Sequence, residues 1–142
     1  RGSAAVNQAK LAYAAFTDVF SGPRWQALAG LGAKVQRPLW ASTSTKNPAY
    51  PDTLYVDALI GPHTVNTLPD STVSAFADHG TVSRTIDVNI TAAREQWSRL
   101  RTVGVDVDDV SAQLEREGVT SFIKSFEDLI AALGDKAASI DS

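Results

Sequence analysis

The sequence predicts an α/β chain that is mostly helical and forms part of a larger parallel sheet or barrel. Three observations lead there. The centre of the chain, residues 35–80, reads strand, loop, helix, strand, helix. A crossover of about 20 residues containing a helix is what a parallel strand pair requires, and it should be right-handed. Two strands alone cannot make a sheet that buries helices on both faces, so strand content is too low for a complete α/β domain. Finally, the 142 residues include no methionine, which a native start would normally supply. The expectation is a piece of something longer, although Arg1-Gly2-Ser3 also reads as a tag scar.

Each element has its own signal. Val6, Ala9, Tyr13, Phe16 and Phe20 recur at three and four residues and make one apolar stripe, so the first helix lies here. Gly22-Pro23 ends it. A short helix follows from Pro23 to Leu31, with Trp25, Leu28 and Leu31 inward and Gly32 closing it. The apolar run 35–41 fits a strand buried on both faces. Pro48 and Pro51 keep the loop 42–51 extended. Asp52 or Thr53 caps a helix carrying Leu54, Val56, Leu59 and Ile60, stopped by Gly61-Pro62. Residues 63–68 read as a second strand ended by Pro69. Asp70 or Ser71 then caps a helix with Val73, Phe76 and Ala77 that stops at Gly80.

Beyond Gly80 the pattern turns helical. Residues 81–90 look irregular or briefly extended. Thr91 caps a helix with Trp97, Leu100 and Val103 that ends at Gly104. Asp106 caps another with Val107, Val110 and Leu114, ending at Gly118. A last helix carries Val119, Phe122, Ile123, Phe126, Leu129, Ile130 and Leu133, a wide apolar face expected to be buried. Gly134 stops it and residues 135–142 fray.

Composition narrows the function classes. Hydrophobic residues are 44% and charged residues 20%, a globular balance. The net charge of −3 leaves no basic stripe for nucleic acid. No apolar run approaches the roughly 20 residues that span a bilayer, and no signal peptide precedes the first helix. With no cysteine, disulfides and thiolate metal sites are excluded. The lack of cysteine is compatible with a reducing compartment such as the cytoplasm.

The chemistry concentrates in Ala41-Ser42-Thr43-Ser44-Thr45-Lys46-Asn47-Pro48. Four hydroxyls in a row and one cation sit at the end of the first strand. In barrels and open α/β sheets, the C-terminal ends of parallel strands are where ligands bind. This fits a site for a small, oxygen-rich, anionic ligand. The same residues also fit a plain Ser/Thr-rich loop.

The block from Arg37 through Trp40 and Lys46-Asn47-Pro48 to Tyr50 resembles the seventh-strand region of bacterial transaldolases of the actinobacterial and cyanobacterial type. Asp52-Thr53-Leu54-Tyr55-Val56 and Thr64-Val65-Asn66-Thr67-Leu68-Pro69 look like the next two blocks. The match runs over nearly the whole chain and is most specific from Arg37 to Gly80. It implies the C-terminal part of a (β/α)8 TIM barrel, about helix 6 to helix 8, plus a helical extension. Residues 1–142 then form a single partial domain, with 1–80 the last barrel units and 81–142 the extension. The family transfers a dihydroxyacetone unit between sedoheptulose 7-phosphate and glyceraldehyde 3-phosphate, in the pentose phosphate pathway. It uses a lysine Schiff base and no metal or other cofactor.

The resemblance places no catalytic residue in this chain. The Schiff-base lysine belongs to a fourth-strand motif that does not occur here. Ile123-Lys124 only superficially matches it, because Lys124 sits on an amphipathic helix. Substrate binding is what carries over. Ser42 matches a family serine lining the site. Ser42 and Ser44 are two apart and would share one face of an extended strand. Related transaldolases place a phosphate-binding arginine about where Ser44 falls, and this sequence departs there. Lys46, the nearest cation and of the same parity, is the alternative phosphate contact, weighed against a solvated loop lysine. The expected partners are sugar phosphates, together with the N-terminal part of the same barrel or another copy of the chain.

Rival features point elsewhere. Asp106, Asp108 and Glu117 stand at calcium-loop positions 1, 3 and 12, but Ser111 replaces the needed glycine. His63 and His79 show no metal or triad partner, and His79 suits a helix C-terminus. Asn89-Ile90-Thr91 fits a glycosylation pattern but doubles as a helix cap. A non-catalytic helical interaction module is the competing function. The two functions part at the strands: a transaldolase piece needs 35–41 and 63–68 parallel and adjacent.

Overall fold

Alanine-rich sequence and one apolar stripe produce the first helix, α1 (Ala4–Val19). In this computed structural model, which describes residues 2–140, α1 is followed by α2 (Pro23–Gly30), β1 (Leu39–Trp40), α3 (Leu54–Asp57), β2 (Val65–Asn66), α4 (Asp70–His79), α5 (Ile90–Thr102) and α6 (Val107–Ile140). The described residues thus form six helices and one small sheet. The chain divides into two compact units, Arg1–Arg99 and Leu100–Ser142.

In the first unit, β1 and β2 are adjacent and parallel, with Leu39 opposite Val65 and Trp40 opposite Asn66. The amides of Val65 and Thr67 donate to the carbonyls of Pro38 and Trp40, each at 3.0 Å. The pairing expected between segments 35–41 and 63–68 is present, but only two residues per strand are regular. The expected lengths were too generous because nothing pairs with the outer edge of β1 among the described residues, and a ladder needs partners on its edges to extend.

α1 covers this sheet with Val6, Ala9, Tyr13 and Phe16. The core is small: Tyr13, Leu59 and Ile86 are buried, and Trp40, Tyr55 and Ala58 pack against them. The Tyr13 hydroxyl donates to the Pro62 carbonyl at 3.2 Å. Ile86, fully buried, belongs to the irregular segment 81–89 and drew no notice as a core residue. Its amide and that of Thr85 both donate to the Ile60 carbonyl, at 3.1 and 2.9 Å. Gly61 makes this approach possible, since a Cβ there would lie 2.2 Å from Ile86 Cγ2.

Helix ends follow local chemistry. Gly32 and Gly104 take positive φ, 91° and 87°, and close α2 and α5. In the second case the Val105 amide bonds the Leu100 carbonyl at 2.9 Å. Asp106 caps α6 as expected, its Oδ1 accepting from the amides of Asp108 and Asp109 at 3.0 and 3.1 Å. Pro69, in extended geometry, precedes α4, and Asp70 is its first residue rather than its cap. Likewise Thr91 lies inside α5 rather than before it. Leu28 and Leu31, read as inward, are exposed, because α2 has no second layer over that face.

The second unit differs most from expectation. α6 is continuous through Gly118 and Gly134, and residues 135–140 are helical rather than frayed, while 141–142 lie outside the described residues. Neither glycine takes the positive φ of a C-terminal cap, so each is an interior position costing about 1 kcal/mol relative to alanine rather than a stop. No residue of α6 is buried, and Phe122 is 81% exposed. The apolar face is present but uncovered. No described helix is long and apolar enough to cross a membrane.

Candidate functional site

β1 delivers its polar tip abruptly. The strand ends at Trp40, and Ser42 has φ 57°, in the left-handed region. For a serine this conformation costs on the order of 1–3 kcal/mol and persists only where the surroundings enforce it. The shared face expected for Ser42 and Ser44 therefore does not exist, because the chain turns at Ser42 instead of running on extended. Ser42 is exposed, Ser44 half-buried and Lys46 exposed.

What fixes the tip is Thr43, buried at 4% exposure. Its hydroxyl donates to Asn66 Oδ1 at 2.8 Å, with the Thr67 carbonyl a second acceptor at 3.1 Å. Asn66 in turn donates from Nδ2 to the Tyr55 carbonyl at 3.3 Å. This bridge links the ends of both strands to the start of α3. The sequence reading passed over Thr43 and Asn66. The available signal was weak: a hydroxyl one residue after Ser42 and an amide in the second strand segment.

The rest of the loop is pinned locally. The Thr45 hydroxyl donates to the Pro51 carbonyl at 2.9 Å. Asn47 forms a turn, its Oδ1 accepting from the Ala49 amide at 2.9 Å, so residues 47–50 curl where an extended path was expected. Thr53 and Asp57 join side chain to side chain at 2.6 Å, and Asp57 Oδ1 accepts from the Thr81 amide at 2.8 Å.

His79 ends α4 between two carboxylates. Its Nε2 lies 2.9 Å from Asp52 Oδ1 and its Nδ1 3.0 Å from Asp78 Oδ2. The hydrogen bond to Asp52, then that to Asp78, raises the imidazole pKa, and the reciprocal bond holds Asp52 below the usual carboxylate range. Both ring nitrogens can donate only as imidazolium, so the two carboxylates favour that form and make His79 a clasp on the loop after β1. His79 thus has carboxylate partners that sequence spacing did not reveal, while its place at a helix end is as expected.

Between α1 and β1, with Tyr55 and Leu59 also in its wall, lies a hollow of about 410 Å³. Ala5, Gln8, Ala9 and Ala12 line one side, and Leu39, Trp40, Ala41, Ser42 and Thr43 the other. Ser42 opens onto it; Ser44 and Lys46 do not line it. The Trp40 indole Nε1 is buried without a hydrogen-bond partner.

Two other lysines have structural employment. Lys10 donates to the Val88 carbonyl at 2.7 Å, and partial burial, offset by Asp87, lowers its pKa. Lys124 pairs with Asp128 at 2.8 Å on the exposed surface of α6. Among the described residues no group of three or more His, Cys, Asp or Glu side chains is arranged to hold a metal ion.

The sequence matches the Transaldolase/Fructose-6-phosphate aldolase family over residues 1–133. It is 49% identical over 140 residues to a transaldolase of Thermobifida fusca, covering 98% of this chain and 38% of that protein. Against a transaldolase of Acidothermus cellulolyticus it is 52% identical over 134 residues, 94% of this chain and 36% of the relative. A transaldolase of Trichodesmium erythraeum is 46% identical over 142 residues, 99% of this chain and 37% of its own length. The chain therefore spans little more than a third of the relatives it matches. A family match over residues 1–133 and identity near one half over almost the whole chain mean that the chain belongs to the transaldolase/fructose-6-phosphate aldolase family.

Proposed function

We propose that the chain is the C-terminal part of a transaldolase, supplying about helix 6 to helix 8 of a (β/α)8 barrel from residues 1–80 and a helical extension from 81–142. The complete protein moves a dihydroxyacetone unit between sedoheptulose 7-phosphate and glyceraldehyde 3-phosphate in the cytoplasm, within the pentose phosphate pathway. A lysine outside these residues forms the Schiff base, with no metal or cofactor. The observation that carries the reading is the identity of about one half, over nearly the whole chain, to transaldolases almost three times as long.

Within that enzyme the polar tip of β1 binds substrate. Ser42 orients the ketose, Ser44 supports it, and Lys46 meets the phosphate as an exposed cation on the loop after the strand. Alone, the chain lacks a lysine set in an environment built to release its proton, so it forms no Schiff base. The partner of this chain is the N-terminal part of the same barrel, seated in the hollow beside the unpaired edge of β1, or failing that another copy of the chain.

A non-catalytic helical interaction module has the exposed apolar face of α6 in its favour. The parallel pairing of β1 and β2 weighs against it. Borohydride reduction in the presence of sedoheptulose 7-phosphate separates the two. The complete protein should gain a reduced three-carbon dihydroxyacetone adduct on its lysine, the phosphate leaving with the four-carbon aldehyde, and lose turnover, while this chain alone gains none. A complete protein that forms no adduct and turns over no ketose phosphate would reject the enzymatic reading.

A further inference from the structure

We propose that Thr43 and Asn66 are positioning residues that hold Ser42 in its left-handed backbone conformation and so aim its hydroxyl at the ketose substrate. The inference rests on the functional reading above and adds to it how the site is held. Ser42 has φ 57°, which serine does not adopt by preference. On its N-terminal side the chain is fixed by the ladder, where the Trp40 carbonyl accepts from the Thr67 amide at 3.0 Å. On its C-terminal side Thr43 is buried and hydrogen-bonded to Asn66 Oδ1 at 2.8 Å. Asn66 cannot drift, because it faces Trp40 in the strand register and donates to the Tyr55 carbonyl. Residues 41 and 42 therefore span two anchored points. Removing the second anchor lets residue 42 relax to negative φ, which turns its side chain out of its present direction.

The two residues act on substrate only through Ser42, and this makes the idea testable by a cycle. In the complete protein, Thr43→Val keeps the shape of the side chain and deletes the hydroxyl. It should lower kcat/KM for the ketose phosphate about tenfold, carried mainly by KM, and Thr43→Ser should restore most of the loss. Ser42→Ala should produce a similar loss, and adding Thr43→Val to it should cost almost nothing more. Asn66→Ala opens the same bridge from the other end and should behave as Thr43→Val does, so the cycle survives if one variant fails to fold. Losses that add in the double variant would overturn the proposal. So would a crystal structure of the Thr43→Val chain in which Ser42 keeps its positive φ. That structure is independent of turnover: if the wild-type complete protein has no transaldolase activity, the functional reading fails, and the geometry of residue 42 still decides whether Thr43 positions it.

Discussion

At the scale of single residues, two side chains around the tip of β1 make separable predictions. Lys46 is exposed. In the complete enzyme Lys46→Ala should raise KM for sugar phosphates while the Schiff base still forms. One charge-assisted contact to phosphate is worth on the order of 1.5–3 kcal/mol. An unchanged KM would leave Lys46 a surface residue. His79 titrates differently. Its pKa is raised by Asp52 and Asp78, so its contribution is complete below the unfolded imidazole value of about 6.5 and is lost as pH rises through the higher folded value. Asp52 is lowered, so its share is present above the unfolded carboxylate value of about 3.9 and is lost as pH falls through the folded one. The clasp is intact between those limits. Proton-detected titration of His79 should give a midpoint above the ordinary value, and Asp52→Asn should bring it down; a midpoint that ignores Asp52 would mean the contact is not formed in solution. Thr43 and Asn66 mark where sequence reading ran out at this scale. A hydroxyl in a run of four is indistinguishable from its neighbours until the backbone turns at Ser42, and only tertiary contact shows which one is buried.

Elements were legible where a local signal suffices. The stripe of α1, the proline and glycine bounding α2, the crossover between parallel strands and the Asp106 cap all follow from nearest-neighbour chemistry. What failed depends on context. Strand length is set by neighbouring strands, and a glycine does not by itself stop a helix: Gly104 does so with positive φ, Gly80 in extended geometry, and Gly118 stays inside α6. Gly61 illustrates the same point with the opposite outcome. It was read as a stop signal, yet its structural value is the absence of a side chain against Ile86. Gly61→Ala would set a methyl 2.2 Å from a stiff β-branched group that is fully buried. Overpacking of this kind costs about 1–3 kcal/mol. Thermal denaturation should register a clear loss for Gly61→Ala; an unchanged melting temperature would show that segment 81–89 moves aside freely.

For the whole molecule, the outstanding property is apolar surface without cover. Leu39, Leu114, Phe122, Phe126 and Leu133 are all more than half exposed, and β1 offers an unpaired edge beside a hollow. Surfaces of this extent are normally closed by another polypeptide. Native mass measurement should find the chain associated, with denaturing measurement returning the single chain; a monomer under both conditions would contradict this. The buried Trp40 indole supplies an internal witness to which surface is closed. A solitary N–H held from water without an acceptor is costly, and the Trp40 ring lines the hollow, so a segment settling there changes its surroundings. Three tryptophans give three indole proton resonances, well apart from the amide crowd. When the hollow fills, the Trp40 signal should shift as its surroundings change, while those of Trp25 and Trp97 hold their positions, so one peak reports assembly at the edge of β1 without any label.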